Sequence, residues 1–246
     1  MLQINCNKGE LVNNGFKVPN HLAIIPDGNR RWAKEHDMPA WKGHWEGGKV
    51  VDNLFDWCAE LGIPNATIWA SSTENLKIRP KKEVRELFKV YQHFLERWEK
   101  KESILDKYKI KVRFIGDIEK LPKEVVNLMG KIMMKTAPYQ KRMFNILINY
   151  GGKLEILNVM KRLAETFVKL GKVQITEKVI QKNLMVPVPV DLIIRTGGNS
   201  RLSNFMLWQS TYAEMIFLDK LWPDFTKKDL VNCIKEFNRR QRNFGK

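Results

Sequence analysis

Short apolar runs alternate with longer stretches in which apolar residues recur at the helical repeat, almost from end to end of the chain. His21-Leu22-Ala23-Ile24-Ile25 reads as a buried strand, broken at Pro26-Asp27-Gly28-Asn29, with a helix opening near Arg31. Between Gly47 and Leu61 the set Val50, Val51, Leu54, Trp57, Cys58 and Leu61 falls on one helical face, and Ala66 to Ala70 reads as the next strand. Val84, Leu87, Phe88, Tyr91, Phe94, Leu95 and Trp98 then share one face of a long helix over 81–106, with Pro80 near its start, where proline is tolerated. A strand at Ile110 to Ile115, a helix at Lys123 to Met134 and a strand at Phe144 to Ile148 come next. After a turn at Tyr150-Gly151-Gly152 come a helix at Leu154 to Leu170 and strands at Asp191 to Ile194 and Glu214 to Phe217. Thr226, with Asp229 three residues on, opens the last helix much as a capping box does.

Strands separated by helices of ten or more residues demand right-handed crossovers, and so predict an α/β fold. The expectation is one domain over 1–246, a mostly parallel central sheet of about six strands flanked by helices, with an extension at 1–17 and a tail at 238–246. Val186-Pro187-Val188-Pro189 is short and reads as a stiff connection, not a linker. Such sheets bind ligands beyond the carboxyl ends of their strands. Three of the strands here lead into Asp27 to Arg31, Ser71 to Asn75, and Arg195 to Ser203. All three stretches are polar, and on one sheet they converge on one edge.

Charge narrows the kind of ligand. Lys and Arg number 43 against 27 Asp and Glu, a net charge of +16 that attracts nucleic acid, acidic lipid headgroups or phosphorylated metabolites. Lysines spread over solvated helix faces would give the same total. No run approaches the roughly 18 apolar residues of a membrane span, and Met1 to Cys6 lacks the pattern of a secretory signal. Cys6, Cys58 and Cys233 are scattered, which argues against a disulfide scaffold or zinc site and fits a reducing cytosol.

The converging loops carry specific chemistry. An acid directly after an apolar strand, as Asp27 is, needs a partner or a cation. Gly28 and Asn29 let the backbone turn and offer N–H groups at a helix start, an anion site reinforced by Arg30 and Arg31. A carboxylate beside a phosphate cradle suits Mg²⁺; the same spacing also suits a simple helix cap at Asp27. Arg195, Arg201 and Ser203 around Gly197-Gly198 present two guanidinium forks and a hydroxyl, matched to a diphosphate, or else surface arginines at a tight turn. Asn75 can orient a proton towards a carboxylate such as Asp27, or cap a helix. No Walker loop is present, so a nucleoside triphosphate is disfavoured.

These motifs together resemble the cis-prenyltransferases, the undecaprenyl diphosphate synthase family. The resemblance is carried by His21 to Lys34, Gly43-His44 with Gly47 or Gly48, Ser72 to Pro80, Asn145 to Gly152, Asp191 to Gly198, Arg201 to Gln209, Tyr212 to Glu214 and Trp222 to Phe225, in order over roughly residues 18 to 245. It implies a homodimeric enzyme that extends an allylic diphosphate with isopentenyl diphosphate, making a Z double bond and releasing diphosphate with Mg²⁺. Asp27 and Asn75 would then be catalytic. Gly28, Asn29, Arg30, Arg31, Trp32, His44, Ser72, Thr73, Glu74 and Arg79 would hold the allylic diphosphate, and Arg195, Arg201 and Ser203 the isopentenyl diphosphate. Asp27 and Glu214 would bind the metal. The helix over 81–106 would wall an apolar channel for the growing chain, or simply pack the core. The expected location is cytoplasmic, with peripheral contact to a membrane and no nucleic acid.

The chain departs from the family pattern at Asn199, where Glu is usual, and at Ser200. Leu76 replaces an aromatic, Ile78 lengthens its loop by one residue, and Asn243 stands where Arg is common. Ala40 falls where some members place an arginine, with Lys42 at hand to replace its charge. These departures bear on substrate preference and linkage. Three alternatives stay open: a short-chain or irregular synthase of the same fold, a non-catalytic partner subunit, and a nucleic-acid binder, for which the chain offers only its charge.

Overall fold

The computed structural model describes residues 7–240; Cys6 and Asn243 lie outside them. The strands expected from the short apolar runs form at His21–Ile25 (β1), Asn65–Trp69 (β2), Ile110–Ile115 (β3), Arg142–Leu147 (β4), Leu192–Arg195 (β5) and Glu214–Phe217 (β6). They make one sheet in the order β3-β4-β2-β1-β5-β6, and every pairing is parallel. Alternate β1 side chains enter different cores. Leu22 and Ile24 join the larger one, under the helices, while Ala23 and Ile25 join Trp69, Ile115, Leu147 and Ile193 on the opposite face. Burial on both faces is why these strands read as unbroken apolar runs.

The main helices are Lys8–Asn13 (α1), Asn29–Glu35 (α2), Ala40–Leu61 (α3), Thr73–Ile78 (α4) and Lys81–Glu99 (α5). They continue with Ile104–Tyr108 (α6), Lys123–Thr136 (α7), Gly152–Leu170 (α8), Glu177–Asn183 (α9) and Lys227–Arg239 (α10). Thr226 and Asp229 do form a capping box at the start of α10. In the described part of the segment read as an extension, Leu11 of α1 is 1% exposed and belongs to the larger core.

The single helix expected over 81–106 is two. α5 stops at Glu99, Lys100 turns to extended backbone, and Ser103 with Asp106 caps α6. The Lys135 ammonium donates to the carbonyl oxygens of Trp98, Glu99 and Lys100, satisfying the end of α5 that would otherwise lack partners.

Chain direction across the sheet reverses between β1 and β5, the place where such sheets hold ligands.

Candidate active site

The loops after β1, β2 and β5 enclose a cleft of about 1340 Å³. Asp27 lies two residues beyond β1, with its side chain 31% exposed. Its Oδ2 accepts hydrogen bonds from Arg195 Nη2 and Asn199 Nδ2, each at 2.9 Å, while Arg31 Nη2 stands 3.6 Å from Oδ1. Burial pushes the Asp27 pKa up. The two hydrogen bonds and the charges of Arg195 and Arg31 outweigh it, holding the carboxyl below its ordinary value. Asp27 is therefore an anion at neutral pH.

Backbone geometry builds this corner. Gly28 caps α2 at φ 108°, a left-handed conformation, and a Cβ there would lie 2.8 Å from Leu221. The Thr196 hydroxyl donates to the Asp27 carbonyl at 2.7 Å and so ties the loop after β5 to the loop after β1. Arg31 reaches the Gly197 carbonyl at 2.6 Å. Arg195 ends β5; its Nη1 donates to the Arg201 carbonyl and to Ser203 Oγ, and its buried Nε has no acceptor. Arg195, Arg201 and Ser203 thus form one cluster, and they line the same cleft as Asp27.

On the other side, Ser72 caps α4 by accepting from the Asn75 N–H at 3.0 Å. Ser72, Glu74 and Asn75 line the cleft. Burial raises the Glu74 pKa; its own N–H, the Ser72 and Thr73 hydroxyls and Asn204 together outweigh it and hold the carboxyl below its ordinary value. Asn149 and Tyr150 carry this loop: Asn149 N–H donates to Ser71 Oγ and Tyr150 N–H to the Ser71 carbonyl. The stretch from Asn145 to Gly152 therefore supports the cleft without lining it.

Arg30, His44 and Arg79 line the cleft as a further cluster. Arg79 Nη1 lies 3.5 Å from His44 Nε2. Burial and the charges of Arg79 and Arg30 push His44 down to about 3, so the imidazole is neutral. Glu83, on the first turn of α5, stands 3.6 Å from all three. Sequence reasoning passed over Glu83, because an acid there reads as an ordinary helix-start residue.

Four expectations need correcting. Trp32 does not line the cleft: its indole donates to Asp224 at 2.8 Å and stacks on His36, and its N–H is spent within α2. Thr73 faces Tyr150 and Gly151 instead. Lys42 does not replace an arginine at Ala40, since its ammonium lies over the Trp41 ring; Lys34 lines the cleft beside Ala40. Glu214 begins β6, in register with Leu192 and Leu22, and pairs with Arg240 at 3.2 Å. Ile25, the last residue of β1, lies three residues further along that register, about 10 Å at strand rise, and Asp27 follows it in the loop beyond the opposite end of the sheet. One chain cannot bring both acids to one ion.

The remaining residues fit a magnesium site of the substrate-bridging kind. Among the described residues Asp27 Oδ1 takes no hydrogen bond, with Arg31 Nη2 at 3.6 Å, and no three His, Cys, Asp or Glu side chains cluster as a metal cage. Mg²⁺ asks only for one or two carboxylates when phosphate oxygens complete its shell.

Beneath the cleft, between α3, α5 and the sheet, runs a narrow apolar channel of about 90 Å³. Pro26, Asn29, His44 and Ala70 line both spaces. α5 contributes Leu87, Val90, Tyr91, Phe94, Leu95 and Trp98, so its apolar face both walls the channel and packs the core. A Cβ on Gly48 would sit 2.1 Å from the Phe94 ring; glycine there lets that ring cross towards α3. Trp98, about 27 Å along the helix from Pro80, is pinned by Asp52, which also pairs with Arg97.

Comparison with known proteins agrees with this architecture. Residues 25–245 match a family described as "Putative undecaprenyl diphosphate synthase". The chain is 41% identical to an isoprenyl transferase of Thermotoga maritima over 94% of its own length and 98% of the relative's. It is 40% identical to the tritrans,polycis-undecaprenyl-diphosphate synthase (geranylgeranyl-diphosphate specific) of Pyrococcus horikoshii, over 93% and 88%. The crystal structure of lavandulyl diphosphate synthase from Lavandula x intermedia, in complex with dimethylallyl diphosphate, superposes with a TM-score of 0.87 at 32% identity, covering 93% and 98%.

Proposed function

Because the chain belongs to the undecaprenyl diphosphate synthase family of prenyltransferases, we propose that it condenses isopentenyl diphosphate with an allylic prenyl diphosphate, forming a Z double bond and releasing diphosphate. The observation that carries this reading is one cleft in which Asp27 stands between two separate basic clusters, with an apolar channel opening beneath it.

The allylic C–O bond breaks and its electron pair leaves on diphosphate. The isopentenyl double bond attacks the electron-poor carbon, and a neighbouring C–H yields its proton to restore a double bond. Arg30, His44 and Arg79 hold the leaving diphosphate, where fixed donors stabilise charge as it develops. Arg195, Arg201 and Ser203 hold isopentenyl diphosphate. Asn75 orients the departing proton at the cleft wall, and the released diphosphate takes it up. Asp27 would hold Mg²⁺, which when bound supplies positive charge to diphosphate oxygens.

Three finer assignments accompany this reading. The protein is a homodimer, a second copy covering the apolar face of α8, where Leu157, Met160, Phe167 and Val168 are 52–83% exposed. It works in the cytoplasm. Its +16 charge docks it peripherally on anionic membrane; among the described residues no helix is long and apolar enough to cross one. A second reading, a short-chain or irregular synthase, is favoured by the channel's size: about 90 Å³ against roughly 300–1,000 Å³ for pockets that enclose drug-sized ligands.

Purified protein incubated with labelled isopentenyl diphosphate, Mg²⁺ and dimethylallyl, geranyl or farnesyl diphosphate tests both readings. Labelled elongated product supports the enzyme, and its chromatographic size chooses between them. No product from any primer, alone or at dimer concentrations, refutes the activity.

A further inference from the structure

We propose that Glu83 is a positioning residue that sets Arg30, His44 and Arg79 for the diphosphate of the allylic substrate. The inference rests on the reading of those three side chains as the allylic cradle. Nitrogens from three parts of the chain converge on one oxygen of Glu83: Arg30 Nε from α2, His44 Nε2 from α3 and Arg79 Nε from the link before α5, each 3.6 Å from Oε1. The Glu83 side chain is 9% exposed, and Oε1 is buried without a hydrogen-bond partner.

That distance is informative. At 3.6 Å the two arginine contacts are coulombic, the neutral His44 ring packs at the same distance, and all three lie outside hydrogen-bond range, so Glu83 holds these side chains without consuming their donors. Both arginines turn their Nε to Glu83; Arg79 Nη1 lies against His44, which leaves Arg79 Nη2 and the terminal nitrogens of Arg30 directed at another acceptor, as in the forks that guanidinium groups make onto phosphate oxygens. The exposed helix-surface pairs Lys49–Glu46 and Lys89–Glu86 differ: they close to 2.8 Å and touch nothing in the cleft.

Charge arithmetic points the same way. Arg30 and Arg79 bring two positive charges together, and burial keeps His44 neutral. One carboxylate cancels half of that charge, so the guanidinium groups stay together before substrate arrives while the cluster still attracts an anion.

The test uses the full chain as wild type, Glu83→Gln and Glu83→Asp, with melting followed by circular dichroism. Steady-state kinetics give KM for each substrate, and calorimetry gives the Kd of farnesyl thiolodiphosphate, an unreactive allylic analogue. Glu83→Gln is expected to raise the allylic KM and the analogue Kd about tenfold, with the isopentenyl KM within about twofold. Glu83→Asp, which keeps the charge, falls between. Equal rises in both KM values would overturn the inference, because a general structural fault moves both. Analogue binding as tight as wild type or tighter would overturn it too, making Glu83 a mere counter-ion. If Glu83→Gln fails to fold, the same split read on Glu83→Asp decides. Wild type that binds the analogue but makes no product would remove the proposed activity and leave the Glu83 comparison readable by calorimetry. An active wild type matched by Glu83→Gln would remove Glu83 alone.

Discussion

The cleft and the channel meet at Asn29 and His44, yet they are built on opposite rules. The cleft is wide and lined by charge with a basic surplus, and its arginines are held by carboxylates: Arg195 by Asp27, Arg30 and Arg79 by Glu83 behind the wall. The channel is narrow, and aromatic rings from α5 line it. An allylic diphosphate has the same two halves, an anion that must be met by fixed donors and a hydrocarbon that must leave water. On the proposed reading, chemistry therefore belongs to the cleft and selectivity for the chain to the channel, and substitutions in one should leave the other's readout unmoved.

The largest break is Asp27→Ala. Turnover should fall at least about 10³-fold, close to 4 kcal/mol, with the circular dichroism spectrum intact because Asp27 is a loop residue outside both cores. Retention of more than about a tenth of the rate, a loss of only about 1.4 kcal/mol, contradicts its role. Arg201→Ala separates the two anion clusters: the isopentenyl KM should rise about 100-fold and the allylic KM stay within about threefold. Equal losses would mean the clusters do not divide the substrates.

Gly48→Ala acts on the channel alone. Its methyl group meets the Phe94 ring, so stability should drop by about 1–3 kcal/mol and products should shorten; an unchanged product profile would separate the channel from chain length. Asn199→Ala removes one of two donors to Asp27 Oδ2 and should lower kcat/KM about tenfold, whereas a rate within twofold leaves the amide without a role. The smallest effect is on acid stability. His44 stays neutral in the folded chain down to about 3, but the unfolded chain takes its proton near 6.5. Its contribution is whole above 6.5 and is lost as pH falls towards 3, by roughly 0.7 kcal/mol between pH 7 and 6. His44→Gln should flatten that slope in urea titrations, and an equal slope would show that the ring is already charged.

The sheet was legible because strands buried on both faces leave apolar runs with few competitors, and the converging loops came from parallel topology. What escaped depends on direction and register. Trp32 sits beside cleft-lining arginines, but one helical step turns it to Asp224. Glu214 reads as the first residue of its strand, but its separation from Asp27 follows only from the parallel register of β6 with β5 and β1, which no local pattern states. The break after Glu99 is masked because Ile104 and Leu105 continue an apolar pattern, and only Lys135, distant in sequence, reveals the end. Asn199 looked like a departure and proves to be a donor to Asp27. Glu83 carries no motif; its role comes from three side chains that meet only in the fold.

The most direct test of the two-region account is a crystal structure of the protein with farnesyl thiolodiphosphate and Mg²⁺. The account predicts the diphosphate on Arg30, His44 and Arg79 beside Asp27, with the hydrocarbon passing Ala70 into the channel towards Phe94. A diphosphate seated on Arg195 and Arg201, or a hydrocarbon lying outside the channel, would contradict it.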